Sequence, residues 1–307
     1  LTGPTAQPDL ALIQQRERQF LLGGIVLMVL LSWWYLVDMA LIMADMGDMQ
    51  SMQEMSMPAM HSGSMDMADM PNMDMAQMNM PMSEMTMDMP GMTMNASWQL
   101  RDFIMLFVMW AVMMVAMMLP SAAPMLLAFI TVNRRRHESR AVPAYLFLLG
   151  YLLVWSGYSI GATALQWGFQ QQHWLDMNMT LKANWLTGLI LIAAGLFQFS
   201  GLKQRCLSFC RSPLNFLMAH WREGRKGALL MGLQHGSFCV GCCWVLMLVL
   251  FVTGVMNLLA VLLLALFVLL EKWITDERWK RLLVSASGAG LIITGAGYLL
   301  VGLEMLV

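Results

Sequence analysis

Apolar residues gather in seven long runs, at residues 18–44, 101–131, 144–169, 184–201, 227–253, 256–273 and 284–304. A helix needs about 20 residues to cross a hydrocarbon core about 30 Å thick. By that measure the sixth run is the shortest that can span. The pattern predicts an all-α protein, a polytopic transmembrane helical bundle of about seven spans. The first run does not look like a cleaved leader. Its apolar core, residues 20–37, is longer than the usual leader core of about 7–15 residues, and no small-x-small cleavage site follows.

The polar breaks between the runs set an expected direction, because Lys and Arg concentrate on the cytoplasmic side. With the N-terminus inside, the inner segments hold Arg16 and Arg18, then Arg134, Arg135, Arg136 and Arg140. They also hold Lys203, Arg205, Arg211, Arg222, Arg225 and Lys226, and finally Lys272, Arg278, Lys280 and Arg281. These make 16 of the 18 basic residues, with Arg101 and Lys182 left outside. Trp33, Trp34, Tyr35, Trp98, Trp174 and Trp185 fall near the expected outer ends, as an interfacial aromatic belt does. The expected location is a bacterial inner (plasma) membrane, with lipid as a partner.

One polar break differs in kind. Residues 45–97 hold 19 methionines, 8 acidic residues and no Lys or Arg. The segment has no aromatic rings until Trp98, and Pro58, Pro71, Pro81 and Pro90 interrupt it. Such a segment cannot bury a core, and a disordered outer loop is expected. The chain then divides into residues 1–44 (N-terminus and first span), 45–100 (Met-rich loop) and 101–307 (a six-helix membrane domain).

Composition supports the membrane reading. Of 307 residues, 59% are hydrophobic and 12% charged, about half the charged share usual in soluble domains. The net charge of −1 and the lack of a basic motif give no sign of a nucleic-acid partner. Five cysteines are too few for a disulfide framework, whereas 36 methionines are an anomaly.

Thioether sulfur is soft and neutral, selects Cu(I), and binds it without first losing a proton. Ag(I) follows by the same softness. Met46, Met49, Met52 and Met55 recur every third residue. Met78, Met80 and Met82, then Met85, Met87 and Met89, recur every second. Two or three sulfurs of a flexible chain can then meet one ion, and His61 beside carboxylates suits Cu(II). The pattern resembles the extracellular methionine motifs of high-affinity copper transporters and bacterial copper-resistance proteins. The alternatives are a low-complexity tether or a hydrophobic docking surface.

A second cluster lies inside the fifth run, MGLQHGSFCVGCCWVLM at residues 231–247. His235, Cys239, Cys242 and Cys243 stand at i, i+4, i+7 and i+8, one helix face. Met231 and Met247 extend the row. Imidazole, thiol and thioether are the ligands of soft or borderline metals. The alternative is a small-residue helix with inert buried thiols. Against that stands His235, since an ionisable side chain in a span points to function.

The second run carries Met105, Met109, Met113 and Met117 at i+4 steps, with Met114 and Met118 beside them. Pro120 and Pro124 are expected to kink or end its inner part. Such a stripe is often packing. Depth gives it a second meaning: at about 1.5 Å per residue, Met113 lies about 18 Å from the outer end, and Cys239 about 18 Å from the inner end. The two sets meet near mid-membrane if their helices touch.

VMMVAMMLPSAAPM (112–125), CRSPLNFL (210–217), GLQHGSFCVGCCWVLM (232–247) and FVLLEKW (267–273) together resemble a bacterial family of predicted metal-binding integral membrane proteins of unassigned function. The likeness covers about residues 98–303 and leaves out the Met-rich loop. It implies that Met113, Met114, Met117, Met118, His235, Cys239, Cys242 and Cys243 are ligand-bearing positions.

Cys206 and Cys210 lie on the inner connection between the fourth and fifth runs. There they are expected to stay reduced, apart from the intramembrane set, and either to pass Cu(I) to or from a cytosolic carrier or merely to pack. His220 and Glu271 read as interfacial residues, and Asp38 as an outer-end charge. No Walker A, phosphorylated-Asp or C-x-x-C-H motif occurs, so neither an ATP-driven pump nor covalent haem is indicated, and no enzyme signature is present. Cys239-x-x-Cys242 lacks the βαβ setting of a thioredoxin.

The reading is copper handling: capture by the loop, then transfer to the intramembrane Met/His/Cys set, with a periplasmic or cytosolic copper carrier as the expected partner. The rivals are a membrane thiol-redox or haem-binding maturation factor, and a structural subunit whose loop docks a partner.

Overall fold

The computed structural model describes residues 6–55, 100–136, 143–175, 180–274 and 276–304, without the side chains of 6–17, 43–55, 135–136 and 303–304. These form nine helices: α1 (Ala6–Met55), α2 (Leu100–Arg136), α3 (Ala144–Gln171), α4 (Asn184–Phe199), α5 (Gly201–Arg211), α6 (Pro213–His220), α7 (Gly224–Thr253), α8 (Leu258–Trp273) and α9 (Glu277–Glu304). The protein is an all-α helical bundle, as the apolar runs predict.

Among the described residues, fewer helices than the expected seven are long and apolar enough to cross a membrane. Five helices, in α1, α2, α3, α7 and α9, are long and apolar enough to cross a membrane. A sixth follows if α4 and α5, bent by 62° at their junction, count as one broken span. The run at 256–273 does not make a seventh. Its helix α8 has 16 residues, about 24 Å, which is shorter than the hydrocarbon core. The first helix also runs on to Met55, past the expected end of its span at residue 44.

α2 and α7 form the centre, and half of the most apolar stretch of each is buried. α3 packs against α7 through two glycines. A methyl group at Gly150 would meet the carbonyl oxygen of Leu229, and one at Gly232 would meet that of Phe147. The backbones touch there, the close approach that small residues permit between membrane helices. The prolines at 120 and 124 do not end α2, which continues to Arg136. α1 lies on α2 and α9 on α4. Both are mostly exposed, with Trp34 and Ile293 about 70% exposed (69% and 71%), as helices facing lipid are.

Two breaks bring polar groups inside. α4 stops at Ser200, whose hydroxyl caps α5 by accepting from the Lys203 backbone N–H at 3.2 Å. α8 begins after the short link from α7, capped by Asn257, and folds back beside it. It ends in Glu271 and Lys272, both buried.

The expected inner ends lie together. One apolar cavity of about 440 Å³ is lined by Phe20 and Ile25 of α1, Ile130 and Arg134 of α2, and Tyr145 of α3. A smaller one joins Phe129 of α2 to Trp221 and Gly224 at the start of α7.

Candidate metal centre

The i, i+4, i+7, i+8 face of α7 is buried throughout. His235, Cys239, Cys242 and Cys243 are each at most 2% exposed, as are Met231 and Met247. α2 contributes to the same core. Met113, Met114, Met117 and Met118 are also at most 2% exposed, and they share one core cluster with the three cysteines and Met247. Met105, by contrast, is 46% exposed and belongs to the outer surface. Both rows sit at mid-helix, since Met118 is equally far from Leu100 and Arg136, and Cys239 lies halfway along α7.

Tyr151 of α3 ties the two together. Its hydroxyl lies 3.1 Å from the Met118 carbonyl oxygen and 3.2 Å from Cys239 Sγ. The Gly150–Leu229 contact one residue earlier brings α3 close enough for this reach. His235 sits one turn before Cys239, between the rings of Phe147, Tyr151 and Phe216 at 6.0, 5.7 and 5.5 Å. Its Nδ1 is buried with no hydrogen-bond partner among the described residues. An unpaired buried polar atom is costly and calls for an explanation, and a nitrogen lone pair held in this way fits a soft-metal donor.

The thiols have internal partners. Cys242 Sγ and Cys243 Sγ donate to the Cys239 carbonyl oxygen at 3.0 and 2.9 Å. Among the described residues, no three His, Cys, Asp or Glu side chains converge on one point. An ion held here therefore takes fewer of these donors, completes its set with methionine, or requires a thiol to rotate.

Sequence reasoning missed Lys272. It reads as one more inner-side cation, yet it is buried 33 positions from Cys239 in sequence and touches it in space. Its Nζ donates to Cys239 Sγ at 3.0 Å and to Ser121 Oγ at 2.8 Å, and Ser121 in turn donates to the Met118 carbonyl at 2.7 Å. Glu271 is likewise no interfacial charge. It is 2% exposed and accepts Lys203 Nζ on both oxygens, at 2.7 and 2.8 Å. Lys203 also donates to Gln198, and Arg211 Nε satisfies the Glu271 carbonyl at 2.8 Å, near the C-terminus of α8.

Cys206 and Cys210 are not apart from the centre. α5 lies against α7, with Cys206 packed on Gly241 and the Phe209 ring stacked on Phe238 at 4.5 Å. Cys210, one turn on from Cys206, is partly buried and packs against the same core cluster as the α7 cysteines. The expectation of a separate inner pair fails because α5 folds back into the bundle instead of crossing the surface. All five cysteines are free thiols. His220 is partly buried, its Nδ1 3.2 Å from the Phe216 carbonyl, among the rings of Phe209, Phe216 and Phe238. Asp38 is exposed on α1. The loop candidates His61, Met78, Met80, Met82, Met85, Met87 and Met89 lie outside the described residues.

The chain matches no curated protein and no solved structure. A family model described as PpoB2, copper chaperone, matches residues 107–298. The matched stretch holds the α2 methionines, Tyr151, α5, the α7 cluster and Lys272, and it excludes the Met-rich segment. Since it spans well over half of the chain, the protein belongs to this copper chaperone family.

Proposed function

We propose that the protein binds Cu(I), or Ag(I) by the same chemistry, at the buried face shared by α2 and α7, and that its Met-rich segment captures the ion and hands it inward. The ion is cargo, destined for transport, tolerance or delivery to an enzyme. Membership in a copper chaperone family supports copper as the metal. The observation that carries the intramembrane part is the shared core of Met113, Met114, Met117 and Met118 with Cys239, Cys242 and Cys243. Thioethers, thiols and the free His235 Nδ1 offer a soft donor set, and soft ligands select Cu(I) over hard cations. A neutral thioether row inside hydrocarbon adds donors without adding charge, which a carboxylate row would not. The orientation with N-terminus inside and the Met-rich segment outside is part of this proposal.

Copper content of the purified protein tests it. The native chain is expected to retain a tightly held ion against a soluble Cu(I) chelator. Cys239→Ser and His235→Ala are expected to lose it while keeping their helical content. If both variants hold it as strongly as the native chain, the α7 face is packing and the proposal fails.

A further inference from the structure

α1 and α3 both pack on α2. At one end of the bundle the apolar stretches of α1 and α3 begin and that of α2 finishes. There the three helices leave a wedge, the apolar cavity of about 440 Å³. That size lies within the range of about 300–1,000 Å³ usual for a bound small molecule. α2 forms the floor, where Ile130 and Asn133 are buried. Phe20 of α1 and Tyr145 of α3 line it from either side and are 77% and 56% exposed, so the wedge opens to the surroundings of the bundle.

Its polar end favours an anion. Arg134, the last residue of the apolar stretch of α2, lines the cavity. A guanidinium carries five donors and takes phosphate oxygens in pairs, so a bond it makes within the protein does not exhaust it. α3 starts here after Pro143, with no side chain capping it and no acidic residue in its first turn. The leading N–H groups of a helix add to the pull on negative charge. The surrounding sequence agrees: residues 16–18 and 134–140 hold six arginines and two glutamates. Glu223, on the smaller neighbouring cavity, is matched in charge by Arg222 beside it.

Apolar walls with a cation at one end complement an amphiphile with an anionic head. Basic pockets between membrane helices hold phospholipid head groups in this way. We propose that the wedge between α1 and α3 binds one anionic phospholipid, its acyl chain against Ile25 and Ile130 and its phosphate at Arg134. α1 lies outside the family match and leads into the Met-rich segment. The lipid therefore helps to seat that helix on the matched core. The proposal does not depend on the copper reading.

The experiment uses the full chain, stripped of lipid in detergent. The probes are phosphatidylglycerol, phosphatidylcholine and glycerol 3-phosphate. Phosphatidylglycerol is expected to raise the thermal midpoint, as a ligand of the folded state does, and to stay bound, one molecule per chain, in native mass spectrometry. Phosphatidylcholine is expected to need about tenfold more for the same effect, the usual weight of a charge-assisted bond, and glycerol 3-phosphate to have none. Arg134→Gln is expected to erase the tenfold preference, and Arg278→Gln, an exposed charge on α9, to keep it. A third variant covers the case in which Arg134→Gln does not fold. Gly24 lines the cavity, and a methyl group there would meet nothing within 4 Å. Gly24→Phe is thus expected to fold and to retain no lipid. Equal stabilisation of the native chain by both lipids overturns the proposal. So does protection by glycerol 3-phosphate alone, which marks a phosphate site with no chain in the wedge. A preference that survives in Arg134→Gln, or a lipid retained by Gly24→Phe, puts the bound lipid elsewhere and overturns it too.

Discussion

Lys272 shows how one side chain changes the chemistry of a site. Thiols and thioethers alone, buried in hydrocarbon, favour a single thiolate on Cu(I), because that combination is neutral. Lys272 adds a hydrogen-bond donor 3.0 Å from Cys239 Sγ, so that sulfur is not surrounded by apolar and thioether groups alone. Lys272→Met keeps the length and packing of the stem and removes the charge. It is expected to weaken Cu(I) binding by about 10- to 100-fold, the usual cost of losing a group that supports a metal ligand. Competition with a chelator of known affinity measures it, and unchanged affinity would mean that the ammonium is irrelevant to the ion. Tyr151 is the other supporting group. Tyr151→Phe removes a hydroxyl shared between Cys239 Sγ and the Met118 carbonyl. That carbonyl retains the Ser121 hydroxyl, so the fold is expected to survive while the affinity falls in the same range. A collapse of helical content in Tyr151→Phe would assign the tyrosine to structure instead.

At the scale of elements, the site depends on how close α3 comes to α7. A side chain at Gly232 would strike the Phe147 carbonyl and push α3 away, carrying Tyr151 with it. Gly232→Val is expected to destabilise the protein by about 1–3 kcal/mol, the range for overfilling a packed contact. Thermal unfolding in detergent would read this as a lowered midpoint, and an unchanged midpoint would show that the crossing is slack. The helical periodicity made the α7 face legible, because i, i+4, i+7 and i+8 are fixed by helix geometry alone. Depth along the two spans put the α2 methionines and the α7 cysteines at one level, and both rows belong to one core cluster, although α3 is the helix most extensively packed against α7. The contribution of α5 was not. Charge placement reads 203–226 as an inner connection, since a Lys or Arg in sequence looks alike whether it faces water or a buried Glu271. One signal was present: the runs at 184–201 and 256–273 are the two short ones, 18 residues each. Short hydrophobic segments point to helices that break at a site, and it is at their ends that Lys203, Glu271 and Lys272 meet.

For the whole molecule, the question is how a metal site on the buried α7 face, as proposed, would be supplied with a scarce ion. A site enclosed by helices loads slowly from dilute copper, and in the proposed division the Met-rich segment would raise the local copper concentration. Linked sites act at effective concentrations up to about the millimolar range. The segment at residues 45–97 has the composition for this, with 19 methionines that need no deprotonation and 8 acidic residues to attract cations. Deleting residues 57–94 from the full chain is therefore expected to leave the tight ion and its affinity unchanged but to slow loading at low copper. Stopped-flow mixing with limiting Cu(I) separates the two quantities. Replacing the segment's methionines by leucine is expected to slow loading equally, and to do so at mildly acidic pH, where the carboxylates and His61 contribute less. Equal loading rates for the native, deleted and leucine forms would leave the segment without a part in capture. Loss of the tight ion on deletion would instead put the segment inside the binding site, and the division between outer capture and inner holding would have to be abandoned.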